Sequence, residues 1–205
     1  MTEPDIAPRL TLPNSLSASR LLFAGVFAFA FVADSDHSTW MLVAFGAAAL
    51  AMVSDWADGY LARRMGTSSD FGKLFDPLAD AIFFVVAFGV LALTDVIWIG
   101  LALPFLIREL TQHLYIRPTA LRRGVALGAK WIGKIKTGVQ AGAVLAICLV
   151  EWALSQAMLS KPDAYLVNSC LAGLAGALSI ASIVPYMRAL AALGKENPSK
   201  TPSAE

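Results

Sequence analysis

The chain has 205 residues, of which 57% are hydrophobic and only 15% charged, with a mean hydropathy of +0.64. A soluble domain carries roughly 25% charged residues, so the composition excludes an ordinary water-soluble fold and points to an all-α integral membrane protein with a single domain. The net charge of +1 says little about partners by itself, and no nucleic-acid partner is expected.

The first stretch, "MTEPDIAPRLTL", is polar and broken by Pro4 and Pro8. Residues 1–16 are read as a short interfacial segment lying along the membrane surface. The first twenty residues lack a continuous apolar core, so no cleavable signal peptide is expected. Six apolar segments follow, at 17–33, 39–62, 73–93, 96–116, 131–152 and 165–190. Each is close to the ~20 residues that a helix needs to cross a bilayer. The first is expected to begin upstream of its apolar core, in "NSLSAS", with Asn14, Ser15 or Ser17 as cap. No segment alternates with the period of a barrel strand.

With six transmembrane helices, one side holds both termini and the loops 62–73 and 116–131. Counting charges within the adjacent helix ends, that side collects fifteen of the sixteen Lys and Arg residues, and the other has Lys161 alone. The positive-inside rule then places both termini in the cytoplasm. The domain is read as residues 17–192 and the polar tail 193–205 as disordered. Cys148 and Cys170 both lie in apolar runs and are read as packed thiols, not as a disulfide or metal pair.

The informative stretch is "SDWADGYLARRMGTSSDFGKLFDPLAD", which holds Asp55, Asp58, Asp70, Asp76 and Asp80. Carboxylates are costly near hydrocarbon. Helical spacing aligns Asp55, Asp58, Gly59, Ala62 and Arg63 on one stripe at the end of the second segment. Gly72, Asp76 and Asp80 form another at the start of the third. The short loop between them predicts antiparallel neighbouring helices whose stripes face each other. Four carboxylates so gathered repel unless cations neutralise them, and hard divalent ions such as Mg²⁺ or Mn²⁺ take oxygen ligands of this kind. Small residues leave room for close approach of a ligand, and Arg63 suits phosphate. Together they suggest a site for a phosphorylated substrate. Asp70, after "TSS", reads instead as a helix cap. Interfacial caps, salt-bridge partners or a metal-ion transporter are the competing readings, although a transporter normally places its acids near the bilayer midplane.

These residues resemble the signature of the CDP-alcohol phosphatidyltransferase family, Asp-x2-Asp-Gly-x2-Ala-Arg-x8-Gly-x3-Asp-x3-Asp. All eight fixed positions are met without a gap, by Asp55, Asp58, Gly59, Ala62, Arg63, Gly72, Asp76 and Asp80. The resemblance implies transfer of a phosphatidyl group from CDP-diacylglycerol to an acceptor alcohol in a cytoplasm-facing cavity, with CMP as leaving group and two divalent metals. It implies Asp55, Asp58, Asp76 and Asp80 as metal ligands and Asp80 also as general base. It further implies that Asp58, Gly59, Ala62, Arg63 and Gly72 receive the CDP-lipid, and that the protein is a homodimer in the membrane (the inner membrane, in a bacterium).

Two further stretches, "LPNSLSASR" and "WIGKIKTGVQ", resemble the phosphatidylglycerophosphate synthase branch, with Ser17 in place of a threonine, and "IREL" resembles its Arg-Glu pair. That branch uses glycerol 3-phosphate, whose dianionic phosphate needs cations; Arg108, Lys134 and Lys136 are the candidates. The alternative has the two lysines anchoring the helix at the headgroups, Lys136 above all because it points away from Lys134. "TQHLYIRP" is more polar than expected of the branch. His113 is expected to pair with Glu109 four residues earlier, while an altered pocket for inositol phosphate, serine or phosphatidylglycerol is the alternative. Gly138 and Gly142 form a small-xxx-small pair that would allow close helix contact.

Overall fold

The computed structural model describes residues 12–33, 37–65, 70–122 and 131–196; for 12–16, 58–65, 70–74, 121 and 192–196 only the backbone path is described. The chain is an all-helical membrane protein, with no strand among the described residues. The helices are α1 (Leu12–Val32), α2 (His37–Met65), α3 (Asp70–Leu93), α4 (Leu103–Leu110), α5 (Arg117–Arg122), α6 (Trp131–Ser155), α7 (Lys161–Ala181) and α8 (Val184–Glu196). Four stretches are long and apolar enough to cross a membrane: His37–Ala57, Phe75–Leu93, Trp131–Ser155 and Lys161–Ala191. Ser17–Val32 is a shorter apolar helix.

Helix α1 starts at Leu12, so Asn14, Ser15 and Ser17 lie inside it and none is its cap. Pro13 explains the earlier start, because proline fits the first turn, where its missing N–H costs nothing. The expected fourth segment is not one regular helix. A 3₁₀ turn at Ile99–Ala102 leads into α4, then a π-helical turn at Thr111–Ile116 runs on into α5. Helical backbone angles persist through Thr111 and Arg117, so α4, the π turn and α5 form one continuous rod. The expected sixth segment divides at residues 182–183. Pro185 has no N–H for the Ala181 carbonyl and its ring crowds that group, which ends α7 there. At the C-terminus, helix formers such as Lys195 and Glu196 carry α8 to Glu196, past the start expected for the tail.

Helix α1 packs along both α2 and α3, α2 against α6, and α6 against α7. The direct α2–α3 contact expected from their short loop is slight among the described residues, because α1 lies against both. Lipid gives helices no hydrophobic reason to associate, so close packing of small residues matters. On α2, Ala44, Ala47, Ala48 and Ala51 are all buried, at i, i+3, i+4 and i+7. Aromatic rings fill the centre: Phe88 stacks on Phe105 with centroids 3.7 Å apart, and Phe27 meets Phe83 edge-on at 6.1 Å. Helix α7 approaches α4 closely at Gly176, where an added Cβ would lie 3.3 Å from Pro104.

Of the cysteines, Cys148 is buried in the core as expected, whereas Cys170 is exposed on α7; both are free thiols. Among the described residues, Gly138 and Gly142 meet no neighbouring atom within 4 Å of an added Cβ, so they mediate no close helix contact there.

Candidate active site

Asp55 and Asp80 come from different helices, yet they line one cavity of about 110 Å³. The same wall includes Arg20 from α1, Phe83 and Phe84 from α3, and Thr137 and Gly138 from α6. Arg20 is the centre of the arrangement. It is 2% exposed, its Nη1 lies 3.0 Å from Asp55 Oδ1, and the same nitrogen donates to the Asp76 backbone carbonyl at 3.3 Å. Ser17, one turn earlier on α1, donates its hydroxyl to Asp76 Oδ1. One turn of α1 thus ties the α2 carboxylate to the α3 segment that carries Asp76 and Asp80. Pro77 stands between the last two; lacking an N–H for the Lys73 carbonyl, it interrupts the hydrogen-bond ladder of α3.

Neither Ser17 nor Arg20 was among the site residues inferred from sequence. The signal was present in "LPNSLSASR", where both fall in the branch-like motif, but Arg20 counted only as a topology-setting charge. Asp58, Gly59, Ala62 and Arg63 lie on the helical path of α2, and Gly72 on that of α3; their side chains are outside the described residues. The same holds for Asp70, at whose position α3 begins.

A second cluster borders the first. Glu109 is buried, and its Oε1 accepts from Arg108 Nη1 at 2.5 Å and from Lys136 Nζ at 3.3 Å. His113 Nδ1 lies 3.0 Å from the Glu109 carbonyl oxygen and 3.6 Å from Glu109 Oε2, so the expected i,i+4 pairing is present. The π-helical turn that follows Leu110 carries Gln112 and His113; such turns widen the helix and recur at functional sites. Gln112 is buried with its Oε1 lacking a hydrogen-bond partner. Lys136 and Glu109 are both within electrostatic reach of Asp80, as are Asp55 and Arg20.

The structure separates the two lysines, and Lys136, the stronger candidate for the anchoring alternative, is the one that turns inward. Lys136 is 2% exposed and faces the bundle, whereas Lys134 is exposed and stands 5.9 Å over the Trp131 ring. The buried face of α6 explains this: Lys136, Gln140, Ala143, Val144, Ile147 and Glu151 follow helical spacing, and Lys134 falls on the opposite side. Arg108 and Lys136 therefore converge through Glu109, and Lys134 takes the headgroup-anchoring geometry.

Among the described residues, no three His, Cys, Asp or Glu side chains converge closely enough to hold a metal ion. Asp58, which the signature places between Asp55 and the loop, is not among them. What the cavity offers is an all-oxygen donor set, with Asp55 about half exposed and Asp80 on the same wall. That chemistry fits a hard divalent cation.

The model of the CDP-alcohol phosphatidyltransferase family matches residues 10–184. The chain belongs to that family. Within it, the chain is 36% identical over 122 residues to the chloroplastic CDP-diacylglycerol–glycerol-3-phosphate 3-phosphatidyltransferase 1 of Oryza sativa subsp. japonica, covering 60% of this chain and 35% of that protein. It is 39% identical over 135 residues to a probable phosphatidylglycerophosphate synthase of Mycobacterium tuberculosis, covering 65% and 63%. It is 30% identical over 148 residues to the CDP-diacylglycerol–glycerol-3-phosphate 3-phosphatidyltransferase of Bacillus subtilis, covering 67% and 76%. The chain therefore spans less than two thirds of the length of the first two of these relatives.

Proposed function

We propose that this chain transfers the phosphatidyl group of CDP-diacylglycerol to glycerol 3-phosphate, giving phosphatidylglycerophosphate and CMP. The observation that carries the reading is the shared cavity of Asp55 and Asp80, the first and last aspartates of the signature, with Arg20 on the same wall tying Asp55 to the Asp76 backbone. The family resemblance and the names of the relatives support the donor and the acceptor.

In this reading Asp55, Asp58, Asp76 and Asp80 hold Mg²⁺ or Mn²⁺, two ions in all. When bound, the metal neutralises the donor pyrophosphate and stabilises charge on the oxygens that attack and leave. The remaining steps belong to the chain's own side chains. Gly59, Ala62 and Gly72 make room for the CDP-lipid, and Arg63 pairs with its phosphate. Arg20 fixes the Asp55 carboxylate and the Asp76 backbone, so the two signature helices keep one geometry. Asp80 accepts the proton of the acceptor hydroxyl. The acceptor oxygen forms a bond to the lipid-side phosphorus as the bond from that phosphorus to CMP breaks. Phe83 and Phe84 exclude water from one wall. Arg108 and Lys136 bind the acceptor phosphate by charge-assisted hydrogen bonds. The working form is a homodimer in the membrane, with the site open to the cytoplasm.

Another acceptor with the same chemistry is the second reading. It is favoured by Gln112, whose buried and unpartnered Oε1 is suited to reading a hydroxyl of a larger polyol.

The experiment is an acceptor panel. Purified protein is given CDP-diacylglycerol, Mg²⁺ or Mn²⁺, and in turn glycerol 3-phosphate, inositol phosphate, serine or phosphatidylglycerol, and products are weighed by mass spectrometry. CMP and phosphatidylglycerophosphate are expected with glycerol 3-phosphate. Product with inositol phosphate alone would move the assignment to the second reading. No CMP with any acceptor, together with metal flux in liposomes, would sink the transferase reading in favour of a transporter.

A further inference from the structure

A second cavity, larger than the one between Asp55 and Asp80, is lined by described residues away from the signature aspartates. Its volume is about 340 Å³, against about 110 Å³ between Asp55 and Asp80, and ligand pockets begin at roughly 300 Å³. It is walled by Phe31 from α1, His37 from α2, Asp95 just beyond α3, Glu151 from α6, and Lys161 and Tyr165 from α7. His37 opens α2 and Asp55 lies near its other end, about 27 Å away at 1.5 Å per residue. That separation approaches the ~30 Å thickness of a hydrocarbon core. The cavity thus stands at headgroup level on the membrane face opposite the signature.

Glu151 dictates what the cavity would hold. It is 6% exposed, at the far end of the buried α6 face that begins with Lys136. Asn168 Nδ2 donates to its Oε1 at 2.7 Å. Its Oε2 lies 3.6 Å from His37 Nε2, longer than a hydrogen bond. Beside that longer contact, one oxygen of a buried carboxylate keeps acceptor capacity at a cavity wall. Among the described wall residues, the carboxylates Glu151 and Asp95 face a single lysine, Lys161, so the cavity favours a cation. A primary ammonium brings the N–H donors that Oε2 lacks; a quaternary ammonium has none. Phe31 and Tyr165 add aromatic surface beside the charge. Lys161 is exposed and suited to a phosphate attached to the same amine.

We propose that this cavity binds the phosphoethanolamine headgroup of a zwitterionic phospholipid from the leaflet opposite the active site. The ammonium sits against Glu151 and Asp95, the phosphodiester against Lys161, and the acyl chains lie along the outer faces of α1 and α7. The site does not depend on the identity of the acceptor alcohol.

The test uses full-length protein in a nonionic detergent, mixed with phosphatidylethanolamine, phosphatidylcholine, phosphatidylglycerol or soluble O-phosphoethanolamine. Bound molecules are counted by native mass spectrometry. Phosphatidylethanolamine is expected to be retained about tenfold more strongly than the other two lipids, the worth of one hydrogen bond to a charged group. Glu151→Gln should lose about that preference. Asp95→Asn gives a second variant that keeps the fold, because Asn tolerates the left-handed φ of 57° found there; its preference should also fall. Equal retention of the three lipids, or an unchanged preference in both variants, would overturn the proposal and leave Glu151 as a staple between α6 and α7. Soluble O-phosphoethanolamine binding as tightly as the lipid would overturn the lipid as source.

Discussion

Arg20 shows how much a single side chain decides here. A guanidinium offers five donors in a rigid fork, so one group can serve a carboxylate and a backbone carbonyl at once. Buried to 2% exposure between α2 and α3, it links the two halves of the aspartate signature. Lysine keeps the charge but is a point donor on a flexible stem. Arg20→Lys should therefore retain the fold and lose turnover, by about ten- to a hundredfold if the misplacement approaches 1 Å; CMP release from CDP-diacylglycerol checks it. Asp80→Asn tests the base directly. Asparagine preserves shape and removes the proton acceptor, so CMP release should fall by about 10²–10⁴ with an unchanged melting profile. Full activity in that variant would remove Asp80 from the mechanism.

At the scale of the element, α6 is the most instructive helix. Its buried face carries Lys136 near one end and Glu151 near the other, with Gln140, Val144 and Ile147 between them. The inner stripe of one helix thus carries Glu151 to the wall of the larger cavity and, at its other end, Lys136 to the Glu109 cluster beside the smaller one. The continuous rod of α4, the π turn and α5 works alongside it by presenting Arg108 and Glu109 to Lys136. Close approach of α7 at Gly176 seats α4 against the bundle. If Lys136 binds the acceptor phosphate, Lys136→Met should raise KM for glycerol 3-phosphate about tenfold or more and leave KM for CDP-diacylglycerol unchanged. Lys134→Ala should change both by less than about twofold, since an exposed cation beside a tryptophan contributes little. The reverse pattern would assign the acceptor site to Lys134.

Across the whole molecule, the two cavities and the distribution of charge define an axis. With six spans, fifteen of the sixteen Lys and Arg residues would fall on the side of the signature and Lys161 on the other. The α6–α7 turn, with Ser160 capping α7 by accepting from the Asp163 N–H, should therefore lie outside the cytoplasm. A cysteine in place of Ser160, in a chain whose exposed Cys170 is replaced by serine, should react with a membrane-impermeant maleimide added to intact cells. Labelling only after the cells are opened would invert the topology and turn the signature outward.

The sequence by itself determined the membrane class, the extent of most helices, and the membership of the aspartate signature. It did so because these properties follow from composition and helical spacing along a single stretch of chain. The same spacing made the inward turn of Lys136 legible, had it been read against Gln140, Ile147 and Glu151 and not against Lys134. Tertiary structure alone decided that α1 lies against both α2 and α3, that Arg20 joins Asp55 to the Asp76 backbone, and that Arg108 and Lys136 share Glu109. These are contacts between helices far apart in sequence, fixed by which small faces pack closely when lipid supplies no hydrophobic drive. The stretch from Asp55 to Asp80 carries the signature, while the groups that hold it in register come from α1, beside the helices that bear it.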